Sequence, residues 1–192
     1  MQRAAILIFA ACLLSPSMPA QTCANIRTFD FRNATIHIAV HDTDGKTSVS
    51  ESKDDSAESI RLYDGAGFSS DGEAGAHDWR ITSIENHLLH PDAKTWVRVI
   101  VLDKNHLTGT GDWRYIMAFT CADGSLVRLF QYGSEGVSLK HVEDRALVLY
   151  QAVWGSEDAH AEPSEHRELA YRWSATDHRY HPDLVMPANG NP

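Results

Sequence analysis

Three residues between two hydrophobic runs of the sequence have the types and spacing of calcium ligands. The segment from Asp103 to Asp112 (DKNHLTGTGD) offers side-chain oxygens at Asp103, Asn105 and Asp112, and its glycines permit a tight fold. Calcium prefers hard oxygen ligands, which often stand on alternate residues of a loop. We therefore expect either a calcium site in this loop or, as the plainer alternative, an ordinary glycine-rich hairpin.

The same loop with its flanking strands resembles a known calcium-binding unit. Residues 101–119 read as strand, Asp-x-Asn loop, glycine, aspartate and strand, which resembles one degenerate unit of the FG-GAP/VCBS type. Such units line the β-propellers of exported proteins, and their acidic loop residues bind calcium. The resemblance therefore implies calcium as the ion that Asp103, Asn105 and Asp112 would hold. No other cofactor is expected.

Eleven histidines invite a transition-metal interpretation, but their spacing does not favour one. On a strand, His37 and His41 share a face with their Cα atoms ~13 Å apart, at ~3.3 Å per residue. One zinc ion cannot bridge that span, because its bonds to nitrogen are only ~2 Å long. The sequence also lacks the HExxH pattern. We expect most histidines to lie on the surface.

Motifs for hydrolysis and nucleotide binding are absent from the sequence. No G-x-S-x-G nucleophile elbow, P-loop or dinucleotide fingerprint occurs. An exported hydrolase with a histidine and carboxylate site in the loops at 64–78 and 155–167 remains an alternative function.

The N-terminus has the organisation of an export signal. Met1-Gln2-Arg3 is followed by an apolar run over residues 4–14 and a small residue at Ala20. This pattern predicts a signal peptide over residues 1–20, and the run is shorter than the ~20 residues of a membrane span. An uncleaved N-terminal anchor is the alternative. We expect an exported chain, periplasmic or secreted, with no transmembrane segment.

Two cysteines remain after removal of such a signal, since Cys12 lies within it. In an oxidising compartment a Cys23–Cys121 disulfide is the single possible intramolecular pairing. It would join the N-terminal segment to the end of a central strand. Two unpaired cysteines, with Cys121 buried, are the alternative.

The charge of the chain excludes two classes of partner. Acidic residues outnumber basic ones 26 to 17, for a formal net charge of −9. Nucleic-acid binding and adhesion to anionic lipid both need a basic surface, so neither is expected.

The elements that must position these residues read as strands, because apolar residues alternate with period two and helical periodicity is scarce. The clearest runs are 35–41, 96–102, 113–121, 125–132, 146–154 and 168–173. Residues 55–63 and 79–89 fit a strand or a helix, and we favour strands. Residues 64–76 and 156–167 are predicted to be mobile loops. The pattern predicts an all-β protein, an antiparallel β-sandwich or curled β-meander, with a single domain over 21–186 and a disordered tail over 187–192.

Five tryptophans lie mostly on expected strands, and we expect most of them in the core. Exposed aromatic rings on a β-sandwich can instead stack on sugars or contact a protein. The leading function is accordingly a non-enzymatic binding or structural module for an unknown protein or glycan partner. The alternatives are the exported hydrolase and a calcium-stabilised β module.

Overall fold

The computed structural model describes residues 21–39, 58–70, 76–90, 95–107, 112–143, 145–156, 158, 163–176 and 178–183. The predicted signal peptide (1–20), His41 and the predicted tail (187–192) lie outside these ranges. The prediction of an all-β antiparallel fold is confirmed. No helix within the described ranges is both long and apolar enough to cross a lipid bilayer.

Seven strands form a first sheet in which each strand pairs antiparallel with the next along the chain. They are β1 (Thr35–Ile38), β2 (Glu58–Tyr63), β3 (Ala66–Ser70), β4 (Ala76–His90), β5 (Thr95–His106), β6 (Asp112–Ala122) and β7 (Ser125–Glu135). Two short 3₁₀ turns, Ile26–Thr28 and Phe31–Asn33, precede β1.

Four strands form a second antiparallel sheet in the order β11-β10-β9-β8. They are β8 (Val137–Glu143), β9 (Ala146–Val153), β10 (Glu165–Ser174) and β11 (Arg179–Pro182). The two sheets are therefore a β-meander that continues from one layer into the next.

The first sheet curls until it is nearly a barrel, and its concave face encloses one of two hydrophobic cores. Alternate residues point inward, as the pleat of a strand requires. On β5 the inward residues include Ile100 and Leu102, and on β6 they include Met117 and Phe119. The 3₁₀ turns add Ile26 and Phe31 to this core from one end of the barrel.

Side chains, rather than backbone pairing, join β7 to β1 and the residue after it, where the two edge strands of the described sheet meet. We call this junction the seam. The side-chain amide of Gln131 on β7 donates to the carbonyl of Ala39 at 3.0 Å and accepts from the Ala39 N–H at 3.2 Å. Arg128 donates to the carbonyl of His37 at 2.6 Å and to Oε1 of Gln131 at 2.8 Å. These bonds satisfy backbone groups that an edge strand would otherwise leave without partners.

The second sheet covers the convex face of β5 to β7 and makes the other core. Val99 on β5 and Ile116 on β6 pack there with Leu147 and Leu149 on β9. The apolar run over 146–154 predicts a strand buried on both faces. In the second sheet, β9 lies between β8 and β10. Its residues are buried on both faces, as Val148 on one face and Leu149 on the other show.

The chain turns from the first sheet into the second at Gly136, between β7 and β8. Its φ is +66°, and a Cβ atom there would lie 2.4 Å from Cη2 of Trp154 and 2.6 Å from Cβ of Ala152. Only glycine fits this corner without strain.

The two predicted loops are partly wrong. Within 64–76, Ala66–Ser70 is strand β3, and within 156–167, β10 begins at Glu165. The glycine in this first segment, Gly67, serves packing: it lets β3 approach β2. A Cβ at Gly67 would lie 2.8 Å from Cγ2 of Ile60.

Candidate functional site: a polar groove beside the disulfide

The disulfide fixes the first described residues of the chain against the β6–β7 hairpin. Cys23 and Cys121 are bonded, with their Cα atoms 5.4 Å apart and a sequence separation of 98. The backbone N–H of Cys23 donates to the carbonyl of Gly124 at 2.8 Å, and Thr22 forms a β-bridge with Ser125. The segment that follows Cys23 is therefore anchored to the end of the β6–β7 hairpin.

Arg98 on β5 holds the 3₁₀ turns of this segment against the end of the barrel. Its guanidinium donates to the carbonyls of Ile26, Arg27 and Phe29 at 3.3, 3.0 and 2.8 Å. It also lies 5.6 Å from the ring centre of Phe31, a buried side chain of the first core. Burial lowers the pKa of Arg98. One arginine thereby binds three backbone carbonyls of this irregular segment.

An open groove of about 600 Å³ runs along the outer side of these turns. Most of its lining side chains carry amide, hydroxyl, carboxylate or guanidinium groups. The lining residues are Gln21, Thr22, Ala24, Asn25, Thr28, Phe29, Asp30, Asn33, Ala34 and Arg61. We call this site the N-terminal groove.

Hydrogen bonds within the wall fix the polar side chains of the N-terminal groove. Asn33 donates from Nδ2 to Oδ2 of Asp30 at 2.9 Å and accepts at Oδ1 from the N–H of Asp64 at 3.1 Å. Asn25 accepts at Oδ1 from the N–H of Arg27 at 3.0 Å. These bonds order Asn25, Asp30 and Asn33 within the groove wall.

The three predicted calcium ligands lie on strands, so the prediction that they stand in a loop is wrong. Asp103 and Asn105 are on β5, and Asp112 begins β6 directly opposite Asn105. The strands extend this far because Arg114 on β6 pairs with Asp103, at 2.6 Å from Nε to Oδ1 and 3.0 Å from Nη2 to Oδ2. Both oxygens of Asp103 are therefore engaged by a cation already present.

Among the described residues, no group of three or more His, Cys, Asp and Glu side chains is arranged to hold a metal ion. The calcium prediction for Asp103, Asn105 and Asp112 and the FG-GAP/VCBS resemblance stay predictions.

The end of the barrel away from the disulfide carries a second polar cluster. Ser69 donates to Oε1 of Glu58 at 2.5 Å and accepts from Nε1 of the buried Trp79 at 2.8 Å. Lys104 donates to Oε2 of Glu58 at 3.3 Å. Burial, together with the charge of Glu58, raises the pKa of Tyr115 to about 12. Each group of this network already has a partner, which is typical of a structural network that closes a core.

Residues of the two segments expected to hold a hydrolase site have structural partners. His77 is buried, with its ring centre 4.3 Å from that of His106. Asp158 accepts from the N–H groups of Gly155 and Ser164 at 2.6 and 2.8 Å, and these bonds lower its pKa. In the β3–β4 register His77 stands opposite Ser69, whose hydroxyl is already bonded to Glu58 and Trp79, and the hydrolase stays a prediction.

A smaller pocket of about 290 Å³ lies on the outer face of the second sheet and is lined by Ser138, Lys140, Tyr150 and Glu168. Lys140 and Glu168 form an ion pair with each other across it. Its charged groups are thus mutually satisfied.

The tryptophans do not form a flat binding face. Trp79 is fully buried, and Trp113, at 37%, is the most exposed of the five. The residues that sequence reasoning missed are those of the N-terminal groove. The available signal was the run of amide, hydroxyl and carboxylate side chains just after Cys23, in a segment that a disulfide would anchor.

Comparison with known proteins found no matching family model, no matching curated protein and no matching solved structure.

Proposed function

We propose that this chain is a non-enzymatic binding module whose N-terminal groove binds a glycan. The observation that carries the proposal is the chemistry of the groove wall. Planar amide, carboxylate and guanidinium groups stand beside the half-buried ring of Phe29. Such groups donate to and accept from sugar hydroxyls, while an aromatic ring can pack on the apolar face of a sugar.

The fixed geometry of the wall also supports this function. Asn33 is held at both ends of its amide, by Asp30 and by the backbone of Asp64. The segment is anchored further by the Cys23–Cys121 disulfide. A ligand that binds a wall already ordered loses less free energy to the ordering of side chains.

A glycan fits the groove better than a protein surface does. The centre of a protein interface is usually apolar and depleted of charged residues. Seven of the ten described lining residues of the N-terminal groove instead carry polar or charged groups, and Phe29 is the aromatic residue among the ten. An exported location, proposed from the sequence and supported by the disulfide, would expose the groove to extracellular or periplasmic glycans.

Isothermal titration calorimetry with cello-, manno-, xylo- and chito-oligosaccharides tests this function. We expect at least one series to bind, and Arg61→Gln to weaken that binding about tenfold, since a hydrogen bond to a charged group is lost. Arg172→Gln is the matched control, because Arg172 is an exposed arginine on the second sheet, paired with Asp183. Absence of binding across all four series, or equal weakening by both variants, would contradict the proposal.

A further inference from the structure

Two strongly exposed aromatic rings stand on the convex face of the β2–β3 hairpin. Tyr63 is 69% exposed and Phe68 is 62% exposed, the highest values of any large hydrophobic residue that the structure describes. The second sheet covers β5 to β7 and leaves this part of the barrel surface open. Neighbouring exposed apolar side chains on a folded protein commonly mark a binding surface.

The two rings adjoin the N-terminal groove through Arg61. The guanidinium carbon of Arg61, which lines the groove, lies 5.4 Å from the ring centre of Tyr63. Leu62 pairs with Gly67, and this register places Phe68 across from Arg61 on the neighbouring strand. The rings therefore flank a groove residue, one along its own strand and one on the next. We call Tyr63 and Phe68 the aromatic shoulder.

A second contact joins the shoulder to the groove. The N–H of Asp64, in the turn directly after Tyr63, donates to Oδ1 of Asn33 in the groove wall at 3.1 Å. The turn is also held by the N–H of Gly65, which donates to the carbonyl of Arg32 at 2.8 Å. Groove and shoulder are thus parts of one connected surface with a fixed relative position.

Charge decides which kind of glycan this surface fits. Among the residues that the structure describes, the groove is lined by one carboxylate, Asp30, and one guanidinium, Arg61, whose charges cancel. The chain as a whole carries −9, which disfavours the approach of a polyanion.

We infer that the ligand is a neutral oligosaccharide longer than a disaccharide, with one end in the N-terminal groove and its further units stacked on the aromatic shoulder. This inference rests on the proposed function of the groove. On a strand, the Cα atom of Tyr63 lies ~7 Å beyond the Cα atom of Arg61, because each residue adds ~3.4 Å. A ligand that occupies the groove alone cannot use both rings, whereas a longer chain can.

A length series tests the inference. Calorimetry would compare mono- to hexasaccharides of each neutral series in the wild type, Tyr63→Ser and Phe68→Ser, with Leu107→Ser as the control. Leu107 is exposed and follows β5, outside the groove and the shoulder. We expect affinity to rise beyond the disaccharide. Within each shoulder variant, the gain in affinity from disaccharide to hexasaccharide should be smaller than in the wild type by roughly three- to tenfold, the worth of one aromatic contact. Leu107→Ser should keep the full gain.

The outcomes separate the two proposals. Disaccharides that bind as tightly as hexasaccharides, or a gain with length that survives both shoulder substitutions, would overturn the inference and leave the function of the groove standing. The same titrations include oligogalacturonate, a negatively charged glycan. Tighter binding of oligogalacturonate than of any neutral chain would overturn the assignment of a neutral ligand. Failure of every oligosaccharide to bind the wild type would overturn both, as would binding of a protein partner through the shoulder in their place.

Discussion

The corner at Gly136 gives the sharpest test of how the two sheets are joined. Replacement by alanine adds one Cβ atom at a residue whose φ is +66°. That atom would lie 2.4 Å from Cη2 of Trp154 and 2.6 Å from Cβ of Ala152, both on the β9 side of the corner. The variant therefore imposes backbone strain and a steric clash together.

The two costs can be worked out separately. A left-handed backbone costs a non-glycine residue ~1–2 kcal/mol. Extra volume in a packed site costs a further ~1–3 kcal/mol, because the neighbours must move. Gly136→Ala should therefore lower the free energy of unfolding by ~2–5 kcal/mol.

Gly124 provides a matched control, because its φ is +75° and a Cβ there would have no heavy atom within 4 Å. Gly124→Ala should cost only the ~1–2 kcal/mol of backbone strain. Equilibrium unfolding in urea, followed by tryptophan fluorescence, measures both variants. Equal losses at the two glycines would refute the packing that we describe around Trp154.

Three further predictions concern the seam, the disulfide and a buried tyrosine. Gln131→Ala should lower the free energy of unfolding by ~1–3 kcal/mol and speed hydrogen exchange at the N–H of Ala39, which loses its acceptor; unchanged exchange would contradict the seam. Reduction of Cys23–Cys121 should lower the urea midpoint, with a loss of up to ~4–5 kcal/mol, and an unchanged midpoint would contradict its role. Tyr115 has a folded pKa of about 12 against 10.0 ordinarily, so the stability that its neutral form contributes is complete below pH 10 and is lost as the pH rises towards 12. Burial also raises the pKa of Tyr132 and Tyr180, so the test is the difference between the ultraviolet titrations of the wild type and Tyr115→Phe. This difference should show one step near pH 12, and a step near pH 10 would refute the assignment.

The fold class could be predicted from the sequence because burial leaves a readable pattern in each strand. A strand buried on one face shows a period of two, and a strand buried on both faces shows a continuous apolar run. The nearly continuous apolar run over 96–102 predicted a strand, and β5 uses both its faces. Val99 packs in one core and Ile100 in the other. The division of the strands into a curled sheet and a second layer could not be predicted, since it depends on the corner at Gly136 and on pairing between distant residues.

The loop predictions failed where glycine serves packing rather than a turn. Glycines are common in loops, but in the barrel the missing side chain of Gly67 makes room for Ile60 on the adjacent strand. The calcium prediction placed Asp103 in a loop because the sequence does not reveal that Arg114 lies opposite it. Both failures concern contacts across strands, which local patterns do not encode.

The N-terminal groove was beyond prediction for a related reason. Its wall combines Asn25, Asp30 and Asn33 with Arg61, which joins them from β2. The disulfide and the three carbonyl contacts of Arg98 hold the first three in place. No fixed spacing of residue types along the sequence predicts a groove that is built from such distant residues.

The most direct test of the central claim, that the N-terminal groove binds a glycan, is an NMR titration of the isotope-labelled chain with hexasaccharides of the cello, manno, xylo and chito series. We expect at least one of them to shift the side-chain amide signals of Gln21, Asn25 and Asn33 and the Arg61 guanidinium signal. Signals of Lys140 and Ser138, in the smaller pocket on the second sheet, should stay in place. Shifts confined to that pocket, or no shift with any of the four hexasaccharides, would contradict the proposed function.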